Sequence, residues 1–322
     1  MQRDAWRLWL RRSARGDESS PERTEGRAHS RLGSAESRFG FLLIVPALLL
    51  FSTVILYPFL DALVRSLYKD DLFTVRPIFI GLDNFRRILG DGLFIETWWT
   101  TLIFVTATST LTMILGLAWA LVLNQPIFAR DLLRSLTLLP WIFPGVVIAF
   151  LWSWMFNSQY GIINAVLLQA NLIPEQISWL SSGHGAMAAV VIARSWATMP
   201  LVMAFYLAAL QTLPQEQLDA SRVDGAGDGA VIRHIVLPHL RYITVILLIL
   251  QAIGNLQQFD IIYAMTAGGP VRATTVFSLE VYRQAFGNWD MGLASAIGVL
   301  WLITIAIPSY FYLRTIFGES RA

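Results

Sequence analysis

Apolar stretches of about 20 residues recur along the chain from about residue 40 onward. A helix needs roughly 20 consecutive, mainly apolar residues to cross the hydrocarbon core of a bilayer. The chain has 322 residues, and its 55% apolar content exceeds what a globular core of that size uses. The sequence therefore predicts an all-α membrane protein with six transmembrane helices. The predicted spans are Phe41–Leu63, Thr100–Leu123, Leu136–Phe156, Ala186–Leu210, Tyr242–Ala264 and Leu293–Leu313.

The distribution of basic residues predicts how these spans are oriented. An even number of spans places both termini on the same side of the membrane. Near the span ends, eleven Arg and Lys residues fall on the side of the termini and six on the opposite side. Because basic residues concentrate in cytoplasmic loops, both termini and the loop 211–241 are predicted to be cytoplasmic. The three longest loops are predicted to lie outside: 68–99, 157–185 and 265–292.

The first 38 residues differ in composition from the rest of the chain. They are rich in Arg, Ser, Glu and Gly, which predicts a disordered cytoplasmic tail at 1–38 ahead of a six-helix transmembrane domain at 39–318. A cleavable signal peptide would need an apolar core soon after its basic start, and the tail has none. The tail is therefore predicted to be retained.

The sequence lacks the residues and motifs that several kinds of site require. The chain has no cysteine, which excludes disulfides, thiolate metal sites and cysteine nucleophiles. It has no GxxxxGK[ST] motif, so ATP binding of the P-loop kind is not expected. His234 and His239 are five residues apart, a poor spacing for sharing a metal ion on one helix face. We expect no catalytic residue, no metal site and no cofactor in this chain.

A polar interval, Glu216–Leu240, separates the fourth and fifth predicted spans. It holds acidic and basic residues, a Gly-rich break at 225–229, and Pro238 just before the next apolar segment. This pattern predicts a helix, a turn and a second helix. Since the interval is also predicted to be cytoplasmic, we expect it to meet a partner there.

The fifth predicted span carries amides that are costly to bury without partners. At 100° per residue, Gln251, Asn255 and Gln258 fall within a sector of about 60°. Such a stripe fits two interpretations: hydrogen bonds between helices, or a ligand path suited to uncharged, hydroxyl-rich molecules such as sugars. The residues alone leave both open.

Two other features mark the third and fourth spans. Arg194 either snorkels to the headgroups or faces a water-filled path in the bundle. Pro140, Pro144 and Pro200 permit kinks, and Gly145 permits close approach of a neighbour.

Several motifs together resemble one family of transport proteins. The polar interval is similar to the coupling motif EAA, three residues, then Gly, with Asp219-Ala220-Ser221, Asp224-Gly225-Ala226 and Leu237-Pro238 in register. FDIIYAMTAGGP at 259–270 and SLEVYRQAFGNWDMGLASAIGVL at 278–300 match further, as do GLDNF at Gly81 and LPWIFPG at Leu139, more weakly. Over about residues 40 to 315 the chain resembles inner-membrane permease subunits of binding-protein-dependent ABC importers, closest to the maltose-type sugar group.

The resemblance implies a set of partners in the cytoplasmic membrane of a bacterium or archaeon. These are a second homologous permease subunit, two ATPase subunits that bind ATP and Mg²⁺, and an extracytoplasmic solute-binding protein. It also implies that the coupling motif seats in a cleft of the ATPase. The residues implied in that coupling are Glu216, Asp219, Ala220, Ser221, Asp224, Gly225, Ala226 and Pro238. Asp219 and Ser221 stand where the family usually has Glu and Ala, and Gly229 where an aromatic residue often lies.

The resemblance further implies a substrate path in the middle of the membrane. Its residues are Gln251, Asn255 and Gln258 of the fifth span, Trp141 and Gly145 of the third, and Thr198 and Leu201 of the fourth, with Arg194 added where it faces the path. The implied function is import of a mono- or oligosaccharide. Import of glycerol phosphate or a phosphodiester is the nearest alternative. An ion-coupled secondary transporter is more distant, because there is no convincing inverted repeat and no mid-span carboxylate except Asp260, near a span end.

Overall fold

The computed structural model describes residues 29–73 and 76–318, which are mainly helical. The helices are α1 (His29–Phe51), α2 (Tyr57–Arg65), α3 (Asp83–Gly90), α4 (Gly92–Asn124), α5 (Arg130–Thr137), α6 (Leu139–Ile142), α7 (Gly145–Met155), α8 (Ile162–Gln169), α9 (Gly183–Leu210), α10 (Gln215–Val223), α11 (Asp228–Val231), α12 (Leu237–Leu256), α13 (Asp260–Thr266), α14 (Phe277–Tyr282) and α15 (Met291–Gly318). Single π-helical turns lie at Ser52–Leu56, Ile232–Val236 and Arg283–Gly287, and a 3₁₀ turn at Trp179–Ser181. Two short strands, β1 (Tyr68–Lys69) and β2 (Ile78–Phe79), pair antiparallel with Tyr68 opposite Phe79.

The chain divides at Asp61 into two units. In the first, α1 passes through a π-helical turn into α2, and the apolar side chains from Phe41 to Leu60 are almost all exposed. A helix that is apolar all round is typical of a membrane span. Its first residue, His29, falls within the segment predicted to be a tail, and residues 1–28 lie outside the described residues.

Within the described residues, five helical segments are long and apolar enough to cross a membrane, or six if the bent segment at 130–155 counts as one span. They are Phe41–Arg65, Gly92–Asn124, Gly183–Leu210, Asp228–Leu256 and Met291–Phe311, with the bent segment made of Arg130–Ile142 and Gly145–Met155. The prediction of an all-α membrane protein is confirmed. The fold differs from the prediction in the fifth span.

The third predicted span, Leu136–Phe156, is sharply bent, as its prolines were expected to permit. The chain breaks at Phe143, which is extended with φ −72° and ψ 140°, and turns by 101° before α7 begins. Pro144 is the cause, because proline cannot donate a backbone hydrogen bond and pushes the preceding residue out of the helical conformation. After the break, Gly145 at the start of α7 lies against Asp260, and Ile148 and Ala149 are buried.

The fifth predicted span, Tyr242–Ala264, is wrong at both ends. Its helix runs continuously from Asp228 through the π-helical turn into α12 and stops at Leu256. Pro238 lies in the first turn of α12 and has no backbone N–H to donate. The wider π-helical turn just before it accommodates this missing hydrogen bond. Residues 257–259 are not helical, and α13 then starts afresh at Asp260.

The centre of the second unit is the contact between α4 and α9. Gly116 on α4 lies against Val202 on α9, and α9 contributes small buried residues, Ala186, Ala189 and Ala193, to the core. Without a hydrophobic driving force between helices in lipid, such small residues let two backbones approach and pack closely. This contact fixes α9, on which part of the candidate site is built.

We predict that Gly116→Ala destabilises the protein and that Gly298→Ala does not. A Cβ at position 116 falls 2.6 Å from Val202 Cγ1 and 3.2 Å from the Met203 backbone nitrogen, whereas one at 298 meets no heavy atom within 4 Å. Both changes gain about 1 kcal/mol of helix propensity, but overpacking costs about 1–3 kcal/mol. The midpoint of thermal unfolding in detergent should fall for Gly116→Ala alone, and equal midpoints would contradict this packing.

Candidate functional site

A cavity of about 320 Å³ lies where the broken third span meets α9, α12 and α13. The cavity lies beside two backbone breaks, at Phe143 and after Leu256, and residues that follow each break, Gly145 and Asp260, line it. Its lining residues are Pro140, Trp141, Phe143, Gly145, Ile148, Arg194, Ala197, Thr198, Leu201, Val202, Phe205, Leu247, Leu250, Gln251, Gly254, Asp260 and Ile261. An apolar wall with a few polar groups is typical of a small-molecule site.

Arg194 faces the interior of the bundle. Its Nε donates to Asn255 Oδ1 at 3.0 Å, and its Nη2 approaches the carbonyl oxygen of Gly254 at 3.5 Å. The guanidinium also lines the cavity. Of the two interpretations of this arginine, snorkelling to the headgroups does not fit these contacts, which are those of an interior position.

Asn255 binds neighbouring helices and does not line the cavity. It is 1% exposed, accepts from Arg194, and donates through Nδ2 to Ser109 Oγ at 3.1 Å. One amide thus connects α4, α9 and α12. This is the interhelical hydrogen bond that is expected of a polar residue inside a membrane bundle.

The other two amides of the predicted stripe lie in different surroundings. Gln251 is buried and lines the cavity. Gln258 lies beyond the end of α12. Its side-chain amide donates to Asp260 Oδ1, and its backbone carbonyl oxygen accepts from Ser278 Oγ at 2.5 Å. The prediction that all three share one helix face is wrong, because the helix ends before Gln258.

The remaining predicted path residues come together around the cavity. Trp141 on α6, Gly145 at the start of α7, and Thr198 and Leu201 on α9 all line it. Thr198 Oγ1 donates to the carbonyl oxygen of Arg194 at 3.0 Å and lies 3.3 Å from Thr112 Oγ1. The cavity therefore gathers six of the eight predicted residues and leaves out Asn255 and Gln258. Their role in substrate passage stays a prediction.

Asp260 is a cavity residue that the sequence prediction did not include in the path. Its carboxylate lies so close to Gly145 that a Cβ at position 145 would overlap it. The available signal was its place in the FDIIYAMTAGGP motif and its being the one acidic residue near the fifth predicted span. Among the described residues, no group of three or more His, Asp or Glu side chains could hold a metal ion.

The polar interval forms a second candidate site. It consists of α10, a turn at 224–227, and the helix that starts at Asp228 and continues into the fifth span. Gly225 has φ +78°; its N–H bonds to the Arg222 carbonyl at 3.1 Å, and the Ala226 N–H bonds to the Ser221 carbonyl at 2.9 Å. These two bonds form a Schellman motif, which needs a left-handed residue and so favours glycine.

The turn presents its residues outward. Val223 is 88% exposed, and a Cβ at Gly225, Gly227 or Gly229 would meet no heavy atom within 4 Å. Of the residues predicted to take part in coupling, Ser221 and Ala226 are half-buried and the others are exposed: Glu216, Asp219, Ala220, Asp224, Gly225 and Pro238. Asp219 lies 3.5 Å from Arg222 in an exposed ion pair.

The interval is also tied to the fourth span. His239 Nε2 lies 3.1 Å from both Thr212 Oγ1 and the Ala209 carbonyl oxygen, at the end of α9. Farther along, the Tyr206 hydroxyl donates to Thr244 Oγ1 at 3.1 Å. The base of the fifth span is therefore fastened to α9 at two levels.

Comparisons with known proteins agree with this architecture. The trehalose/maltose transport system permease protein MalF of Thermococcus litoralis is 35% identical over 285 residues, covering 88% of this chain and 96% of that protein. The sulfoquinovosyl glycerol transport system permease protein SmoG of Agrobacterium fabrum is 33% identical over 276 residues, covering 85% and 89%. A bacterial ABC transporter involved in alginate import has the same fold, with a TM-score of 0.72 at 20% identity over 88% of this chain and 99% of that one.

The match to a known protein family covers most of the membrane domain. Residues 112–316 match the family described as binding-protein-dependent transport system inner membrane component. This range includes the polar interval, the cavity residues from Trp141 to Asp260, and the matched motif at 259–270. The family predicted from those motifs is confirmed. The chain belongs to the inner membrane components of binding-protein-dependent transport systems, as a multi-pass permease subunit of an ABC importer.

Proposed function

We propose that this permease subunit passes a mono- or oligosaccharide through the cavity between α6–α7, α9, α12 and α13. The observation that carries the proposal is the make-up of that cavity, in which Trp141, Gln251 and Thr198 line one space. An aromatic face stacks on a pyranose ring, while amides and hydroxyls both donate to and accept from sugar hydroxyls. The substrates named for two relatives, trehalose/maltose and sulfoquinovosyl glycerol, support a carbohydrate.

An anionic solute such as glycerol phosphate is the second candidate, and Arg194 favours it. A guanidinium in a low-dielectric cavity attracts phosphate strongly. Two observations count against an anionic solute. Arg194 already donates to Asn255 and Gly254, and Asp260 lines the same cavity. With one charge of each sign, the cavity suits an uncharged solute better.

The proposed energy source is ATP hydrolysis in a separate chain. We infer that α10 and the Schellman turn seat in a cleft of an ATPase subunit, which binds the ATP and Mg²⁺, while this chain carries no catalytic residue or cofactor. Support comes from the exposed turn and from the open space around Gly225, Gly227 and Gly229. The full importer would hold two ATPase chains, a second homologous permease and an extracytoplasmic binding protein.

The proposed orientation puts both termini and the interval at 211–241 in the cytoplasm. Support comes from the excess of Arg and Lys on that side of the predicted spans. The residues at which the coupling motif departs from its family, Asp219, Ser221 and Gly229, all lie on α10 or in the first turn of α11. They are the positions where recognition of a particular ATPase would differ.

The direct test of the function uses the whole importer in lipid nanodiscs with its own binding protein. ATP hydrolysis should rise when the binding protein is supplied with maltose or trehalose. It should not rise with sn-glycerol 3-phosphate. Stimulation by glycerol phosphate alone would replace the sugar with the second candidate.

We predict that Gly225→Leu lowers stimulated ATP hydrolysis by at least about tenfold while membrane insertion is retained. A left-handed residue with a Cβ costs about 1–2 kcal/mol, and the new side chain projects into the space left for the partner. The matched control is Gly298→Leu, because a Cβ there also meets no heavy atom within 4 Å and the residue lies outside the polar interval. That variant should keep coupling. Unchanged stimulated hydrolysis in Gly225→Leu would contradict docking at the Schellman turn.

We predict that Gln251→Ala and Asn255→Ala separate transport from stability. Gln251 lines the cavity, so its loss should reduce sugar uptake about fivefold at an unchanged unfolding midpoint. Asn255→Ala leaves the Nε of Arg194 and the hydroxyl of Ser109 without their partner, a cost of about 1–3 kcal/mol. Its unfolding midpoint should fall. If Asn255→Ala loses uptake while its unfolding midpoint is unchanged, Asn255 belongs to the substrate path after all.

A further inference from the structure

The cavity holds two opposite charges that the proposed sugar contacts do not use. Arg194 comes from α9 and Asp260 from the first turn of α13, and both line the same space. Charges inside a membrane bundle are costly and are retained where they pair or meet a ligand.

The Asp260 carboxylate is held in place from two sides. The side-chain amide of Gln258 donates to Oδ1, while the Gln258 carbonyl is itself fixed by Ser278. On the other side, Oδ2 occupies the place that a side chain at position 145 would take, at the amino end of α7. The amino end of a helix carries a partial positive charge, which favours a carboxylate there. Glycine at 145 is therefore what admits the carboxylate.

Arg194 is held as firmly on the facing side. Its Nε and one Nη2 N–H are committed to Asn255 and Gly254. A guanidinium carries five N–H groups, so these contacts orient it and leave up to three for a ligand. The cavity thus offers a fixed donor fork and a fixed acceptor, with no net charge between them.

We propose that Asp260 and Arg194 form a charge-balanced pair that makes the cavity select uncharged polyhydroxylated solutes over phosphorylated ones. The Asp260 carboxylate accepts from sugar hydroxyls and repels a phosphate, while Arg194 donates to hydroxyl or ring oxygens. Because both charges line one cavity inside the bundle, where water screens them little, removing one should change selectivity strongly. This inference rests on the proposed sugar function and adds the residues that set its charge preference.

The test measures direct binding to the assembled importer without its binding protein, so that the cavity alone decides. Trehalose and trehalose 6-phosphate are the probes, because they share a sugar framework and differ in charge. The wild type should bind trehalose more tightly. Asp260→Asn keeps the shape and the Gln258 hydrogen bond, and should shift the affinity ratio toward trehalose 6-phosphate by at least about tenfold.

Gln251→Ala is the matched control, because Gln251 lines the same cavity without a charge. It should weaken binding of both probes and leave their ratio unchanged. The unfolding midpoint of Asp260→Asn, measured alongside, identifies protein that has not folded, and Asp260→Glu, which restores the charge, should return the ratio toward the wild-type value.

Two results would overturn the charge-balanced pair. One is an unchanged ratio in folded Asp260→Asn while ATP hydrolysis still responds to sugar; the proposed function would then stand without the pair. The other is tighter binding of trehalose 6-phosphate than of trehalose by the wild type. That result would contradict both the charge-balanced pair and the proposal of an uncharged solute.

Discussion

The hydrogen bonds of Arg194 are the interaction on which the membrane core depends. A guanidinium within a bilayer must be satisfied by protein or water, and here Asn255 and the Gly254 carbonyl do so. Asn255 in turn binds Ser109, so one polar chain joins α9, α12 and α4. The three helices cannot slide or rotate independently without breaking it. The position of the cavity wall follows, since Thr198 and Leu201 lie one and two turns beyond Arg194 on the same helix.

Two breaks in the backbone then shape the space beside that wall. Pro144 turns the third span by 101°, and α12 stops at Leu256. Both breaks leave backbone groups without helical partners, and such backbone is tolerated at membrane depth where protein or a water-filled cavity surrounds it. Asp260, Gln258 and Gly145 gather at these breaks. The placement of Asp260 in the site thus follows from where helices end, whereas Arg194, Thr198 and Gln251 lie within helices.

The sequence was sufficient for features that depend on apolar length and local turn chemistry. Apolar windows predicted the spans, and the run of glycines after α10 predicted the turn that Gly225 makes. The sequence did not predict where a helix ends because of its contacts with other parts of the fold. The 100° rule grouped Gln251 with Gln258 because it assumed a helix that in fact ends at Leu256. Equally, no local pattern distinguishes an arginine that snorkels from one that meets Asn255, since the partner is 61 residues away.

The continuous helix from Asp228 to Leu256 connects the two candidate sites mechanically. Its first turn adjoins the exposed Schellman turn, and Gln251 faces the cavity about 30 Å farther along the axis. The π-helical turn at Ile232–Val236 is its irregular part, and His239 and Thr244 fasten the segment beyond it to α9. A displacement of the helix at the Schellman turn would therefore act on α9 and α12 together. Because Asn255 and Arg194 join these same helices near the cavity, hydrogen bonds connect α9 and α12 at three levels along their length.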